Sequence, residues 1–431
     1  VGFERFLATT ITCACGQSHH APTRALVVAD DALERLADVI SRLGARRVAL
    51  VADVRTQAVA GAAVAERVAR AGCAVQTVIV PDRDGRTPVC DEPTKCTLAD
   101  LVTEADILVA VGSGVVNDLT KWLAFERERP YLVVATAASM NGYTAANVAP
   151  TINGVKLLVR ARAPLALFAV PDVILNAPFV MTTAGLGDVI AKTISAADWR
   201  LNSLVVGEHF CPLCAGIIND VEPLYLEHPE RICAGDRTAV MALFDALLYS
   251  GLAMTLIGSS APASGGEHLF SHTLDMMSAV DGVPHDLHGR QVGVGTIIAA
   301  RMYERIMAID TPRVHTPPAD IAAQFWGPLA PAVRAAYQAK RAHLMRFAEM
   351  LRQPDQWQQV KAAIAPYLRS SRAIADCLKR AGAAGTAADI GCDQARMRQA
   401  VLHMHEIRAR TTVVDLAWLL GVLPAAADEL I

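Results

Sequence analysis

The 431-residue sequence has no marked charge of either sign, no long clean apolar run and no internal repeat or low-complexity tract. Forty Lys and Arg stand against 43 Asp and Glu, a formal net charge of −3. The basic surface that a phosphate backbone demands is therefore missing, and no nucleic-acid partner is expected. The most apolar stretch, residues 243–258, is interrupted by Asp245 and Ser250. It falls short of the roughly 20 apolar residues of a bilayer span, so a buried helix is expected there and no membrane span. No basic segment leading into an apolar core and a small-residue cleavage site opens the sequence, so no secretory leader is expected. The ten cysteines are scattered and form no disulfide framework, which favours reduced thiols in a cytoplasmic protein. Cys211 and Cys214 have the spacing of half a zinc site, but no second pair answers them. Cys13 and Cys15 lie close to His19 and His20; idle or buried thiols are the default reading there, and a small metal knuckle is the alternative.

What is present is aliphatic and ordered: hydrophobic residues make up 53% of the chain, alanine is abundant, and the length suits two domains. The first part alternates strand and helix. Arg47–Asp53 is a short apolar run ending in a carboxylate, residues 58–71 repeat apolar positions at helical spacing up to Gly72, and Ala74–Val80 reads as a strand. Residues 81–96 read as a polar surface loop and 98–105 as a short helix. A strand at 106–111, buried on both faces, runs into Gly112-Ser113-Gly114 and a helix to about residue 125, and Tyr131–Ala135 is a further buried strand. Strands of this kind separated by helices imply a parallel sheet, whose ligands bind beyond the carboxyl ends of the strands. Segments 154–159 and 165–170 suggest a β-hairpin. After Pro178 strands almost vanish and helical periodicity takes over, so two domains are expected, 1–180 and 181–431.

Several groups carry candidate chemistry. In Gly112-Ser113-Gly114-Val115-Val116-Asn117-Asp118, two glycines allow close backbone approach to a pyrophosphate, and the helix N-terminus supplies free N–H groups. Asn117 stands where a full G-x-G-x-x-G fingerprint has its third glycine, so a tight structural turn remains the alternative. Asp53, at a strand end, suits hydrogen bonding to an adenosine ribose or plain helix capping. Thr136 and Ser139 lie in a polar loop after the next strand, on the same sheet edge. His268 and His272 sit one turn apart on a helix and face the same way, with His285-Asp286-Leu287-His288 following. Far upstream, Asp188 brings a carboxylate into an apolar helical setting. One carboxylate and two imidazoles make a three-ligand metal site with an open position suited to a substrate oxygen.

The segments GSGVVNDLTKW, TAASMNGY, GVKLLV, AGLGDVIAKTISAADWRL, GGEHLFSHTLD and LHGRQVGVGTI resemble, in order, those of sn-glycerol-1-phosphate dehydrogenases, particularly the bacterial AraM-like branch, as does CACGQSHH near the N-terminus. The resemblance runs from about residue 13 to residue 300. It implies an α/β fold of dehydroquinate synthase type: a Rossmann-like parallel-sheet N-terminal domain followed by an all-α C-terminal domain. By the same match NAD(H) or NADP(H) would lie with its pyrophosphate on Gly112 to Gly114, its adenosine ribose near Asp53 and its nicotinamide end beside Thr136 and Ser139, with Asn117 and Asp118 completing the loop. Asp188, His268 and His288 would bind one divalent metal, zinc or nickel, with His272 a close neighbour. The implied reaction is hydride transfer between the nicotinamide and a small polyol or ketone phosphate, in a homodimer or larger homo-oligomer. Lys192 suits either the substrate phosphate or a structural ion pair.

One departure bears on substrate. Asn141 stands where the family usually has an aspartate near the substrate, and an amide can neither carry charge nor accept a proton. A dehydrogenase for another phosphorylated or phosphonate carbonyl is therefore an alternative. A dehydroquinate-synthase-like carbocycle former is a second, which Asp188 disfavours because those enzymes generally place a glutamate there. A non-catalytic binding protein is the third, disfavoured by the complete ligand triad.

Overall fold

The computed structural model of the chain describes residues 2–83 and 85–431; Asp84, within the loop expected at 81–96, and Val1 lie outside them. Six strands build the main sheet: β1 (Ala25–Val28), β2 (Arg47–Asp53), β3 (Ala74–Val80), β4 (Ile107–Gly112), β5 (Tyr131–Ala135) and β6 (Ala166–Ala169). Their order across the sheet is β1-β6-β5-β4-β2-β3, and every pairing is parallel. β4 and β5 are buried along their whole length, as central strands covered on both faces must be. Val48, Leu50, Val109, Val111, Leu132 and Phe168 from four strands pack against Leu36, Ile40, Val64 and Val68 of the flanking helices, forming the core under one face.

Two expectations give way here. The hairpin expected from segments 154–159 and 165–170 does not form. Ala166–Ala169 is instead the core strand β6, parallel to both β1 and β5. Two short hairpins form upstream, Thr151–Ile152 with Val155–Lys156 and Asn147–Val148 with Val159–Arg160. The helix expected at 98–105 runs over Glu92–Leu101, because Asp91 caps it by accepting the Thr94 N–H at 2.8 Å and Pro93 occupies the first turn.

No strand lies beyond Ala169 among the described residues, and the remainder is helical. The chain divides into two compact units, Val1–Gly185 with Ile217–Gly258, and Leu186–Gly216 with Ser259–Ile431. A single boundary near residue 180 leaves out the return of 217–258 to the first unit. That segment contains the Arg237–Ile257 helix, which is long and apolar enough to span a membrane by length and composition and is mostly buried. Gly258, at φ 73°, caps it in the left-handed conformation.

Candidate active site and metal centre

In the first unit, β4 ends at Gly112 and the Gly114–Glu126 helix begins two residues later, after Ser113. A side chain at Gly112 would set its Cβ 2.7 Å from the Val116 Cβ, so only glycine lets the helix leave the strand this sharply. Ser113 and Gly114 remain partly accessible. The first N–H groups of the helix thus lie at the carboxyl end of the sheet, where a pyrophosphate is bound in such folds. Asn117 is fully buried and donates from Nδ2 to Asp118 Oδ1 at 2.9 Å, and Asp118 Oδ2 accepts the Ala149 N–H at 3.3 Å. Both brace the loop. Lys121, buried on the same helix, donates to the Gly142 and Asn147 carbonyls at 2.6 and 3.1 Å and fixes the neighbouring loop.

That loop follows β5 and carries Thr136, Ser139 and Asn141. Tyr143 pins it by donating to the Ala137 carbonyl at 2.8 Å. Thr144 donates to the Leu248 carbonyl at 2.6 Å, and Thr255 donates to the Thr144 carbonyl at 2.7 Å, so the loop is held on the Arg237–Ile257 helix. Gly251 permits this, since a Cβ there would collide with the Asn141 carbonyl. Asn141 Nδ2 faces Ser250 Oγ at 3.4 Å. Asp53 caps the short helix after β2, accepting the Thr56 N–H at 2.8 Å on Oδ1, while Arg55 reaches its Oδ2 at 3.2 Å. Arg55 also makes a two-pronged pair with Asp82 at 2.6 and 3.0 Å, and the paired carboxylates raise its pKa.

In the second unit, Asp188, His268 and His288 come together although 100 residues separate the first from the last. Asp188 lies near the end of the Phe179–Ile190 helix, His268 in the first turn of Gly266–Asp281, and His288 opens His288–Met307. Glycine sets the spacing of these helices. A Cβ at Gly187 would collide with the Gly289 carbonyl, and one at Gly295 with the Glu267 carbonyl. His268 Nε2 lies 3.4 Å and His288 Nε2 3.9 Å from Asp188 Oδ1. Each ring is oriented through its other nitrogen: His268 Nδ1 lies 2.7 Å from Glu267 Oε1, and His288 Nδ1 lies 2.9 Å from Ser271 Oγ. Ser271 Oγ in turn lies 2.7 Å from Gln291 Oε1. The set fits a divalent metal, because both Nε2 atoms converge with a carboxylate oxygen while carboxylate and hydroxyl partners hold the Nδ1 atoms, as in known carboxylate–histidine–metal sites. Burial lowers the His268 imidazolium pKa, but Asp188 and Glu267 outweigh it and lift it to about 9.

His272 stands beside this set rather than in it. Its ring stacks 5.4 Å from that of His288, centre to centre, and its Nδ1 accepts from Arg408 Nη2 at 3.0 Å. Lys192 is not one turn along the same helix as Asp188, because the helix breaks at Ala191 and a new one starts at Lys192. Its buried ammonium donates to the Ala215 carbonyl.

Residues 27–178 match the iron-containing alcohol dehydrogenase family model. Glycerol-1-phosphate dehydrogenase [NAD(P)+] of Methanosarcina mazei is 35% identical over 276 residues, 64% of this chain and 75% of the relative. The enzyme of the same name from Halalkalibacterium halodurans is 33% identical over 294 residues, 68% and 74% of the two chains. That from Bacillus subtilis is 29% identical over 388 residues, 90% and 89%. The chain belongs to the glycerol-1-phosphate dehydrogenase family. Among solved structures, a probable glycerol dehydrogenase from Sinorhizobium meliloti superposes with TM-score 0.63 at 17% identity, covering 94% of this chain and 98% of that one. The iron-containing alcohol dehydrogenase of Thermotoga maritima gives 0.58 at 13%, covering 94% and 99%. These two show the shared fold.

Within a member of this NAD(P)-linked, metal-dependent family, the sequence reading missed the supporting residues. Glu267 was readable, being a charged residue beside His268 in an otherwise apolar helix start. Ser271, Gln291, Arg408 and Arg55 carry no local signal, since their partners are set by tertiary packing.

Proposed function

We propose that this chain reversibly reduces dihydroxyacetone phosphate to sn-glycerol 1-phosphate with NADH or NADPH, as a cytoplasmic homodimer or larger homo-oligomer holding zinc or nickel on Asp188, His268 and His288. The observation that carries the reading is the convergence of those three donors, each imidazole oriented from behind, in a chain whose relatives bear this enzyme's name. The Gly112–Gly114 turn and the helix N-terminus after it supply the dipole and N–H groups for a pyrophosphate, Asp53 and Arg55 flank the proposed ribose position, and Thr136 and Ser139 the nicotinamide end. A bound divalent ion supplies Lewis acidity toward the substrate's carbonyl group.

The protein's own groups handle orientation and the proton. A bound nicotinamide would supply hydride to the carbonyl carbon, and the carbonyl oxygen must then gain a proton. His272 suits that task. Arg408 donates to its Nδ1, so the neutral ring carries its hydrogen on Nε2, ready to donate. Asn141 can orient a substrate hydroxyl or carbonyl but cannot take a proton. That one feature favours a second reading, a dehydrogenase for another phosphorylated or phosphonate carbonyl. Stereochemical analysis of the product from dihydroxyacetone phosphate tests the proposal. Accumulation of sn-glycerol 1-phosphate supports it, and the opposite enantiomer or no product, with another phosphorylated carbonyl turned over, supports the second reading.

A further inference from the structure

The N-terminal hairpin carries a group of side chains that hydride transfer does not use. Two three-residue strands, Thr10–Thr12 and Ser18–His20, pair antiparallel with Thr12 opposite Ser18. A hairpin this short is marginal by itself. Its turn is wound tightly: Cys13 N–H donates to the Gln17 carbonyl at 2.9 Å, Gly16 N–H donates to the Cys13 carbonyl at 3.0 Å, and Gly16 sits at φ 85°. The left-handed glycine folds the chain back so that Cys13 and Cys15 face the following strand. Neighbouring residues on a strand point to opposite faces, so only one of the two histidines can join them. His19 is 3% exposed and faces inward, whereas His20 is exposed and its Nδ1 lies 3.3 Å from Thr10 Oγ1.

His19 is held in the manner of a metal ligand. Its Nδ1 lies 2.9 Å from the Leu256 carbonyl, one of the last carbonyls of the Arg237–Ile257 helix, which have no partner within the helix. Nδ1 must therefore carry the hydrogen, so Nε2 presents its lone pair toward the thiols, 3.2 Å from Cys15 Sγ. The donor atoms of Cys13, Cys15 and His19 all lie within 4.8 Å of one another. No disulfide consumes the thiols.

We propose that Cys13, Cys15 and His19 bind a structural zinc ion separate from the Asp188 site, with at least one further ligand completing the tetrahedron. Two thiolates and an imidazole are the soft set that selects zinc over hard cations. The backbone carbonyl behind His19 is the usual orienting partner of a ligating histidine. The ion ties the hairpin to the end of the helix that carries Ser250 and Gly251 beneath the Asn141 loop.

The test is metal analysis of the full chain purified under reducing conditions. About two equivalents of zinc per chain are expected, one for each site. Replacing zinc by cobalt should produce a thiolate-to-cobalt charge-transfer band with the intensity of at least two thiolates, which the Asp188 site, lacking sulfur, cannot give. Cys13→Ser with Cys15→Ser should lose that band and one equivalent while the other ion stays. The unsubstituted protein already decides the matter if the double variant fails to fold. One equivalent with no thiolate band, or a band that survives in the double variant, overturns the proposal whatever the substrate of the enzyme.

Discussion

Glu267 and Arg55 illustrate how single residues tune sites they do not form. Glu267 accepts from His268 Nδ1 and, at 2.7 Å, from the Gly265 N–H, so it holds both the ring and the helix start. Glu267→Gln keeps the shape but removes the charge that raises ligand basicity. Metal affinity should fall about 10- to 100-fold, measured by chelator competition, with cofactor binding unchanged. Arg55 pairs with Asp53 and Asp82, and its guanidinium, beside the proposed ribose position, is the group that would meet a 2′-phosphate. Arg55→Ala should shift the ratio of kcat/KM toward NADH over NADPH by about tenfold, which corresponds to about 1.4 kcal/mol. An unchanged ratio would place the ribose elsewhere.

Among the elements, the three helices of the proposed metal centre depend on close approach and on one buried acid. Gly187→Ala would press a methyl group into the Gly289 carbonyl and part the helices bearing Asp188 and His288. Metal retention should weaken at least about tenfold, read by metal analysis after dialysis. Asp198 joins three other pieces: Oδ1 accepts from Tyr303 at 2.5 Å and from the Val413 N–H at 2.7 Å, and Oδ2 accepts from the Gly266 N–H at 2.6 Å. Burial, reinforced by the Glu267 charge, pushes its pKa up to about 8. Asp198→Asn keeps only one acceptor oxygen and strands at least one buried donor, so denaturant unfolding should show a loss of about 1–3 kcal/mol.

Elements also show what the sequence discloses. Arg47–Asp53 and Tyr131–Ala135 were legible to the residue because strands buried in a parallel sheet are largely apolar runs, and Ala74–Val80, an edge strand carrying Gln76 and Thr77, because it is rich in β-branched residues after the Gly72 helix stop. Ala166–Ala169 was misassigned because its partners, Ala25–Val28 and Tyr131–Ala135, are remote in sequence and no local pattern names them. The start of the Glu92–Leu101 helix was hidden by proline and polar residues that serve as its cap. Asp188, His268 and His288, singled out by motif, do converge, whereas the carbonyl partner of Lys192 lies 23 residues on and leaves no local signal.

At the scale of the whole molecule, helical periodicity marks a segment as buried without saying in which body, so the return of Ile217–Gly258 to the first unit could not be read. The division of labour has a measurable consequence. The proposed cofactor features lie in the first unit and the proposed metal ligands in the second, so chelation should abolish turnover yet leave the NAD(P)H dissociation constant within about threefold, followed by nicotinamide fluorescence.

The most direct test of the account is NAD(P)H oxidation by metal-loaded protein offered dihydroxyacetone phosphate, dihydroxyacetone or glycerol in parallel. Rapid oxidation is expected with the phosphate ester alone, stopped by chelator and restored by zinc or nickel. Absence of oxidation with metal and cofactor both bound, or faster turnover of dihydroxyacetone than of its phosphate, would contradict it.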